Sequence, residues 1–139
     1  MVIPYLAFQG NCSEVLAFYS KVFRTTAKRV HHYDDYVPED VFEVPDNFND
    51  WIMHAEMEIC GTNFWFADEF SQEQLKNNFI KLVITVEKSE QANEIYNLLL
   101  DDGEIILPPT QTFYSTYHAA IIDKFGVSWN IVSLENNDE

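Results

Sequence analysis

The sequence predicts an α+β fold built from two βαβββ modules, and three observations lead there. The order strand, helix, then three more strands can be read twice along the 139 residues. The helical pairs Phe18-Tyr19 and Ile95-Tyr96 occupy the same place in each repeat, about 77 residues apart. Hydrophobic residues make up 47% of the chain and aromatics 15%, enough for a sizeable core at this length. Each module can cover one face of its four-stranded sheet with its helix and leave the other face to curl. Two such sheets facing each other give the expected architecture, a cupped mixed β-sheet with helices on the outer face. The chain is expected to be one domain, with module one at about 1–70, module two at about 77–134 and an acidic, frayed tail at 135–139.

Residues Ile3 to Phe8 form a short apolar run that ends at Gln9-Gly10-Asn11, which marks a first strand. Asn11 is placed as an N-cap with Glu14 as its capping-box partner, and Val15, Phe18, Tyr19, Val22 and Phe23 then recur at helical spacing over Cys12 to Phe23. Thr25 to Tyr33, rich in β-branched and aromatic residues, is the second strand. Asp34 to Asp50 carries seven carboxylates and two prolines and is a long loop. From Trp51 to Ile59 the alternation is clean, with Met53, Ala55, Met57 and Ile59 on one face and Ile52, His54, Glu56 and Glu58 on the other. The turn Cys60-Gly61-Thr62-Asn63 leads into Phe64 to Asp68, completing a hairpin. After a polar linker, Phe79 to Val86 is a strand and Ser89 the N-cap of a second helix. Its apolar stripe is Ala92, Ile95, Tyr96 and Leu99, with Gly103 as the C-terminal cap. Ile105 to Leu107, Thr112 to Ile122 and Val127 to Leu134 supply the remaining strands, the last two joined by the turn Asp123-Lys124-Phe125-Gly126.

Against 8 Lys plus Arg stand 23 Asp plus Glu, a formal net charge of -15. A polyanion meets a repulsive field, so nucleic acid and anionic membrane are not expected partners. No apolar run approaches the roughly 18 residues of a membrane helix. The two cysteines, Cys12 and Cys60, have no metal-ligand spacing, and the start MVIPYLAF has no signal-peptide pattern; a cytoplasmic location is expected.

His54 and Glu56 are two apart on a strand, so their side chains leave the same face, close enough to act as base and orienter. The competing reading is a solvated polar face that balances the apolar stripe. His31 and His32 point to opposite faces, one expected in the core and the other in water, and His118 is expected to be structural. Cys12 sits at a helix start, where a thiol can be activated, although no partner base is apparent and a buried, inert cysteine is expected. Trp51, Trp65, Phe66, Phe113, Tyr114 and Tyr117 form a dense aromatic set. Trp65 and Phe66 must face opposite ways, one toward the helix and the other toward the cup or a partner, which suggests a cavity for a planar or apolar molecule. The 34–50 loop is either a solvated connection or a lid that brings Tyr36 or Phe42 onto a ligand.

The segments PYLAFQGNCSEVLAFYSKVF, IMHAEMEICGTNFWFAD and PPTQTFYSTYHAAIIDKFGVSW together resemble the PhnB-like branch of the vicinal oxygen chelate superfamily, which includes glyoxalase I, bleomycin resistance proteins and extradiol dioxygenases. The resemblance covers nearly the whole chain. It implies paired βαβββ modules, a homodimer, and metal or small-molecule sites in the cup, and the His54-Ala55-Glu56 triplet lies inside one of its motifs. Some relatives carry names borrowed from ubiquinone methyltransferases, but no glycine-rich cofactor loop is present, and methyl transfer is not expected. The sequence departs from the family at Arg24-Thr25, where relatives tend to carry Gly-Gly, and at Ser115 and His118, where glycines are expected.

Matching to metal-dependent glyoxalase-like relatives puts Pro4, Phe66 or its neighbours, Lys81 and Asn130 at the four ligand positions. A divalent ion needs converging N or O donors, which that set lacks, so the usual metal site is expected to be lost and no cofactor is assigned, with a divalent metal at other residues left open. Two functions follow. The first is a protein that binds a small molecule, aromatic or cationic, lined by Trp65, Phe66, Phe113, Tyr114, Tyr117 and Asn130. The alternative is an enzyme of lyase, isomerase or dioxygenase type acting on a small metabolite. In it His54 is general base, Glu56 orients it, and Asn130 or Tyr114 holds the substrate. A blander third possibility is a structural or regulatory dimer with a vestigial cup.

Overall fold

A computed structural model describes residues 1–35, 50–70, 79–112 and 115–135. The chain divides into two compact units, Met1–Gln74 and Leu75–Glu139. Unit 1 contains β1 (Tyr5–Phe8), α1 (Cys12–Phe23), β2 (Lys28–His32), β3 (Ile52–Ile59) and β4 (Thr62–Asp68). Unit 2 repeats the order with β5 (Leu82–Val86), α2 (Ser89–Leu99), β6 (Glu104–Thr110), β7 (His118–Ile122) and β8 (Ser128–Ser133). The sheets have the same topology, β1-β4-β3-β2 and β5-β8-β7-β6, with the first strand parallel to the fourth and the other pairs antiparallel. These are two mixed four-stranded sheets with one helix each, the α+β class that the repeated pattern predicted.

In unit 1, Cys12, Val15, Leu16, Tyr19 and Val22 of α1 are buried. The stripe thus runs through Leu16 rather than Phe18 and Phe23, which are half-buried. It meets Ala55, Met57, Phe64 and Phe66, all buried, which alternate with the residues of the opposite sheet face. In unit 2, Ala92, Tyr96 and Leu99 of α2 are buried, as are Ile84, Ile121, Trp129 and Ile131 of its sheet.

Several boundaries differ from the sequence reading for identifiable reasons. The β3–β4 turn is only Cys60-Gly61, both with positive φ (49° and 91°), the conformation that suits a two-residue hairpin, so β4 starts at Thr62. Asn11 is at the N-cap position of α1 but makes no side-chain capping bond. Asp68, at the far end of β4, takes that role: its Oδ1 accepts from Gly10 N at 2.8 Å and Cys12 N at 3.0 Å, and its Oδ2 accepts from Ile52 N at 3.0 Å. Tyr33 Oη donates to the Asp68 carbonyl. One side chain therefore fastens α1 and β3 to the end of β4.

In unit 2 the N-cap is Lys88, not Ser89. Ser89 N and Oγ donate to Glu135 Oε2 at 3.1 and 2.8 Å, and these bonds hold the Glu135 carboxyl below its usual range. Glu135 is thus tied down rather than frayed; the rest of the tail, 136–139, lies outside the described residues. Gly103 does not hold the left-handed position after α2, which falls on Asp102 (φ 54°). Glycine is required at 103 because a Cβ there would sit 2.7 Å from the Ile122 carbonyl oxygen. The strand expected to stop at Leu107 continues through Pro108-Pro109, which β6 tolerates because it is an edge strand with irregular register.

Candidate functional site

The face of the unit 1 sheet turned away from α1 carries polar and aromatic side chains in register. Glu56 stands opposite Trp65 across β3–β4, Glu58 opposite Asn63, and His54 opposite His31 across β2–β3. Glu56 is the centre of this cluster. Its Oε2 lies 2.9 Å from His54 Nε2, and its Oε1 accepts from Asn63 Nδ2 at 2.8 Å and Arg29 Nη1 at 3.0 Å. The side chain is only 10% exposed, whereas that of His54 is 28% and that of Arg29 is 63% exposed. The bond with His54, then that from Asn63, together with the Arg29 charge, hold the Glu56 carboxyl down to about 2. It is therefore an anion across the neutral range.

The His54 ring meets Trp65 edge-on, with centroids 4.9 Å apart and an angle of 83°. Trp65 is 38% exposed. With Nε2 donating to Glu56, neutral His54 presents Nδ1 as an acceptor, so the carboxylate fixes both the tautomer and the ring orientation. The strand alternation that suggested His54 and Glu56 as a pair thus corresponds to a direct contact. Arg29 and Asn63, also in this network, were not found from the sequence. Asn63 could have been found by counting across the hairpin from Cys60-Gly61. Arg29 could not, because it reaches Glu56 through a bulge: the three steps from Lys28 to His31 oppose two on β3, and Arg29 has φ 51°.

The other expected ligand-binding residues fare differently. Phe66 is fully buried and faces α1, its ring 6.1 Å from Tyr19 and 6.3 Å from Phe64, so Trp65 is the one of the pair on the open face. Tyr117 likewise packs toward its helix, 6.5 Å from the Tyr96 ring, with its hydroxyl donating to Asn93 Oδ1; burial pushes its phenol up to about 12. Both are core residues of their units. Asn130 lies on the face of unit 2 turned away from α2, where its Oδ1 is 2.9 Å from His118 Nε2. Phe113, Tyr114 and nearly all of the proposed lid lie outside the described residues.

Neither His31 nor His32 is a core residue: His31 is exposed, and His32 is half-buried with Nδ1 3.4 Å from Asp35. Cys12 is fully buried, and burial followed by the Asp68 charge pushes its thiol far up, which removes the activated-thiol reading.

The positions that the resemblance assigns to a metal do not fit one. Pro4 offers no side-chain donor, Phe66 turns its hydrocarbon ring to α1, Lys81 brings an exposed ammonium, and the Asn130 oxygen already faces His118. Among the described residues no group of three or more His, Cys, Asp and Glu is disposed to hold a metal ion. Among the same residues no helix is long and apolar enough to cross a membrane.

Comparison with known proteins agrees with this architecture. Escherichia coli (strain K12) Protein YjdN is 26% identical over 138 residues, covering 92% of this chain and 91% of the relative. A putative 3-demethylubiquinone-9 3-methyltransferase, PhnB protein, from Bacillus cereus superposes with a TM-score of 0.78 at 23% identity, over 95% of this chain and 98% of that one. Protein PA1353 from Pseudomonas aeruginosa gives 0.80 at 24% identity, over 98% of both chains. The family model described as 3-demethylubiquinone-9 3-methyltransferase matches residues 1–132. The chain therefore belongs to that family, the PhnB-like branch of the vicinal oxygen chelate superfamily.

Proposed function

We propose that this protein binds a small molecule on the helix-free face of the unit 1 sheet, at His54, Glu56 and Trp65. The observation that carries the reading is the carboxylate of Glu56, nearly buried yet aimed along an open sheet face, which holds a histidine beside a half-exposed tryptophan. A purely structural face has no need of this arrangement, since strands are routinely finished with separate solvated side chains. On unit 2, and separately from that face, Asn130 with His118 beside it is proposed as a polar ligand contact. Phe113 and Tyr114, outside the described residues, are kept as proposed ligand contacts from the sequence alone.

A second reading is favoured by one detail. Because Glu56 engages Nε2, His54 is set up as a general base through Nδ1, with Glu56 as orienter, for an enzyme acting on a small metabolite. The methyl transfer in the family description is not adopted, because the groups assembled here are suited to proton transfer and polar recognition. A homodimer and a cytoplasmic location complete the proposal; light scattering on the purified chain tests the former.

The discriminating experiment replaces both His54 and Glu56 by Ala and compares thermal stability with ligand-dependent quenching of tryptophan emission over a broad panel of aromatic compounds. Lost quenching with retained stability supports the site. Lost stability with quenching retained identifies the pair as packing, and a panel that quenches neither protein counts against an aromatic ligand.

A further inference from the structure

We propose that the Glu56 cluster is a receptor for a ligand bearing a guanidinium or ammonium group, and that Arg29 is an internal occupant of that receptor which the ligand displaces. This names the ligand class for the site proposed above and rests on that reading. Arg29 is the starting point. Of the four non-glycine residues with left-handed backbone among the described residues, Arg24, Cys60 and Asp102 sit in a helix cap, a hairpin turn and a post-helix loop; Arg29 alone is inside a strand. That conformation is unfavourable for a residue with a Cβ, and it coincides with the β2 bulge that directs the side chain to Glu56. Strain of this kind concentrated at a charged contact points to function.

The contact is asymmetric. Arg29 touches Glu56 through one nitrogen and is 63% exposed, whereas the carboxylate is 10% exposed and has its other oxygen on His54. An incoming guanidinium or ammonium reproduces the hydrogen bond to Oε1 while the Arg29 head moves into water and its backbone is released. Asn63 supplies an independent indication. Its Nδ2 is committed to Glu56, and its Oδ1 is buried with no hydrogen-bond partner, the one such side-chain atom among the described residues. An orphan acceptor beside a carboxylate calls for a second N–H, which a cationic ligand brings and Arg29 in its present position does not. Trp65, cross-strand from Glu56, adds aromatic surface for a cation, and the formal net charge of -15 draws cations toward the chain.

Calorimetric titration of the full chain with n-butylguanidinium, n-butylammonium, butyrate and n-butanol tests this on wild type, Arg29→Gln and Glu56→Gln. The expected result is binding of both cations, about two- to fivefold tighter in Arg29→Gln because an exposed ion pair competes by about that factor, and none in Glu56→Gln. Should Glu56→Gln fail to fold, the comparison of wild type with Arg29→Gln carries the test alone. Equal or weaker cation binding in Arg29→Gln overturns the proposal. So does butyrate binding that is lost in Arg29→Gln, which makes Arg29 itself the recognition group and leaves the small-molecule site standing. Failure of all four probes on both proteins also overturns it, and the aromatic panel then judges the site separately.

Discussion

Replacing Asp68 by Ala tests how the first βαβββ unit is held together. The side chain is 1% exposed and accepts three backbone N–H bonds, from Gly10, Cys12 and Ile52. Two of the three are buried, and a buried donor left without a partner costs about 1–3 kcal/mol. The Gly10 amide is part-buried and regains water, so it adds less. The sum is about 3–6 kcal/mol, which corresponds to a fall in Tm of about 10–20 °C for a chain of this size. Asp68→Asn can keep the Gly10 and Cys12 bonds through Oδ1 but turns an amide N–H toward Ile52 N, so it should lose about half as much. Urea and thermal unfolding followed by circular dichroism measure both. Hydrogen exchange adds a local readout, since the Cys12 and Ile52 amides should lose protection ahead of the β3–β4 ladder. A loss below about 1 kcal/mol in Asp68→Ala, or unchanged protection at both amides, would refute the reasoning.

Other expectations follow from single contacts. Gly10→Ala should destabilise, because Gly10 has φ 100° and an added Cβ would lie 2.6 Å from Cζ2 of the Trp51 ring; a melting curve within 1 °C of wild type contradicts this. Glu56 has its folded pKa depressed to about 2 from an ordinary 4.5, so its contribution to stability is complete above about pH 4.5 and declines as pH falls toward about 2. Between those values wild type should lose stability more steeply than Glu56→Gln, measured as Tm against pH; parallel curves contradict the network. Cys12 is buried and Cys60 exposed, so one thiol should react with a chromogenic disulfide in the native protein and two after denaturation. Partial desolvation nonetheless raises the Cys60 thiol above its ordinary value, so its labelling should keep accelerating with pH beyond the range in which a free thiol levels off.

The fold was legible where period and length agreed. Cys12 to Phe23 and Trp51 to Ile59 have strong 3.6 and 2.0 periods, and the structure forms both elements to within a residue. Contacts between residues distant in sequence were not legible. Asn11 and Ser89 look like caps locally, but the carboxylates that accept from Cys12 N and Ser89 N at the two helix starts belong to Asp68 and Glu135, 56 and 46 residues away; only Gln91, which accepts from Lys88 N, is local. Which of Trp65 and Phe66 faces outward also depends on where α1 lands, which alternation alone leaves open. At the candidate site the same division holds. His54 and Glu56 were found because a strand repeats every two residues, whereas Arg29 enters through a bulge, where that period fails.

The central claim is that the His54–Glu56–Trp65 face receives a cationic ligand, and chemical-shift perturbation tests it most directly. Amide and tryptophan indole signals of the 15N-labelled chain are followed on addition of n-butylguanidinium. The account predicts saturable shifts concentrated in β3, β4 and the bulge at Arg29, with the Trp65 indole among the largest. Shifts confined to other strands, or none at millimolar probe, would contradict it.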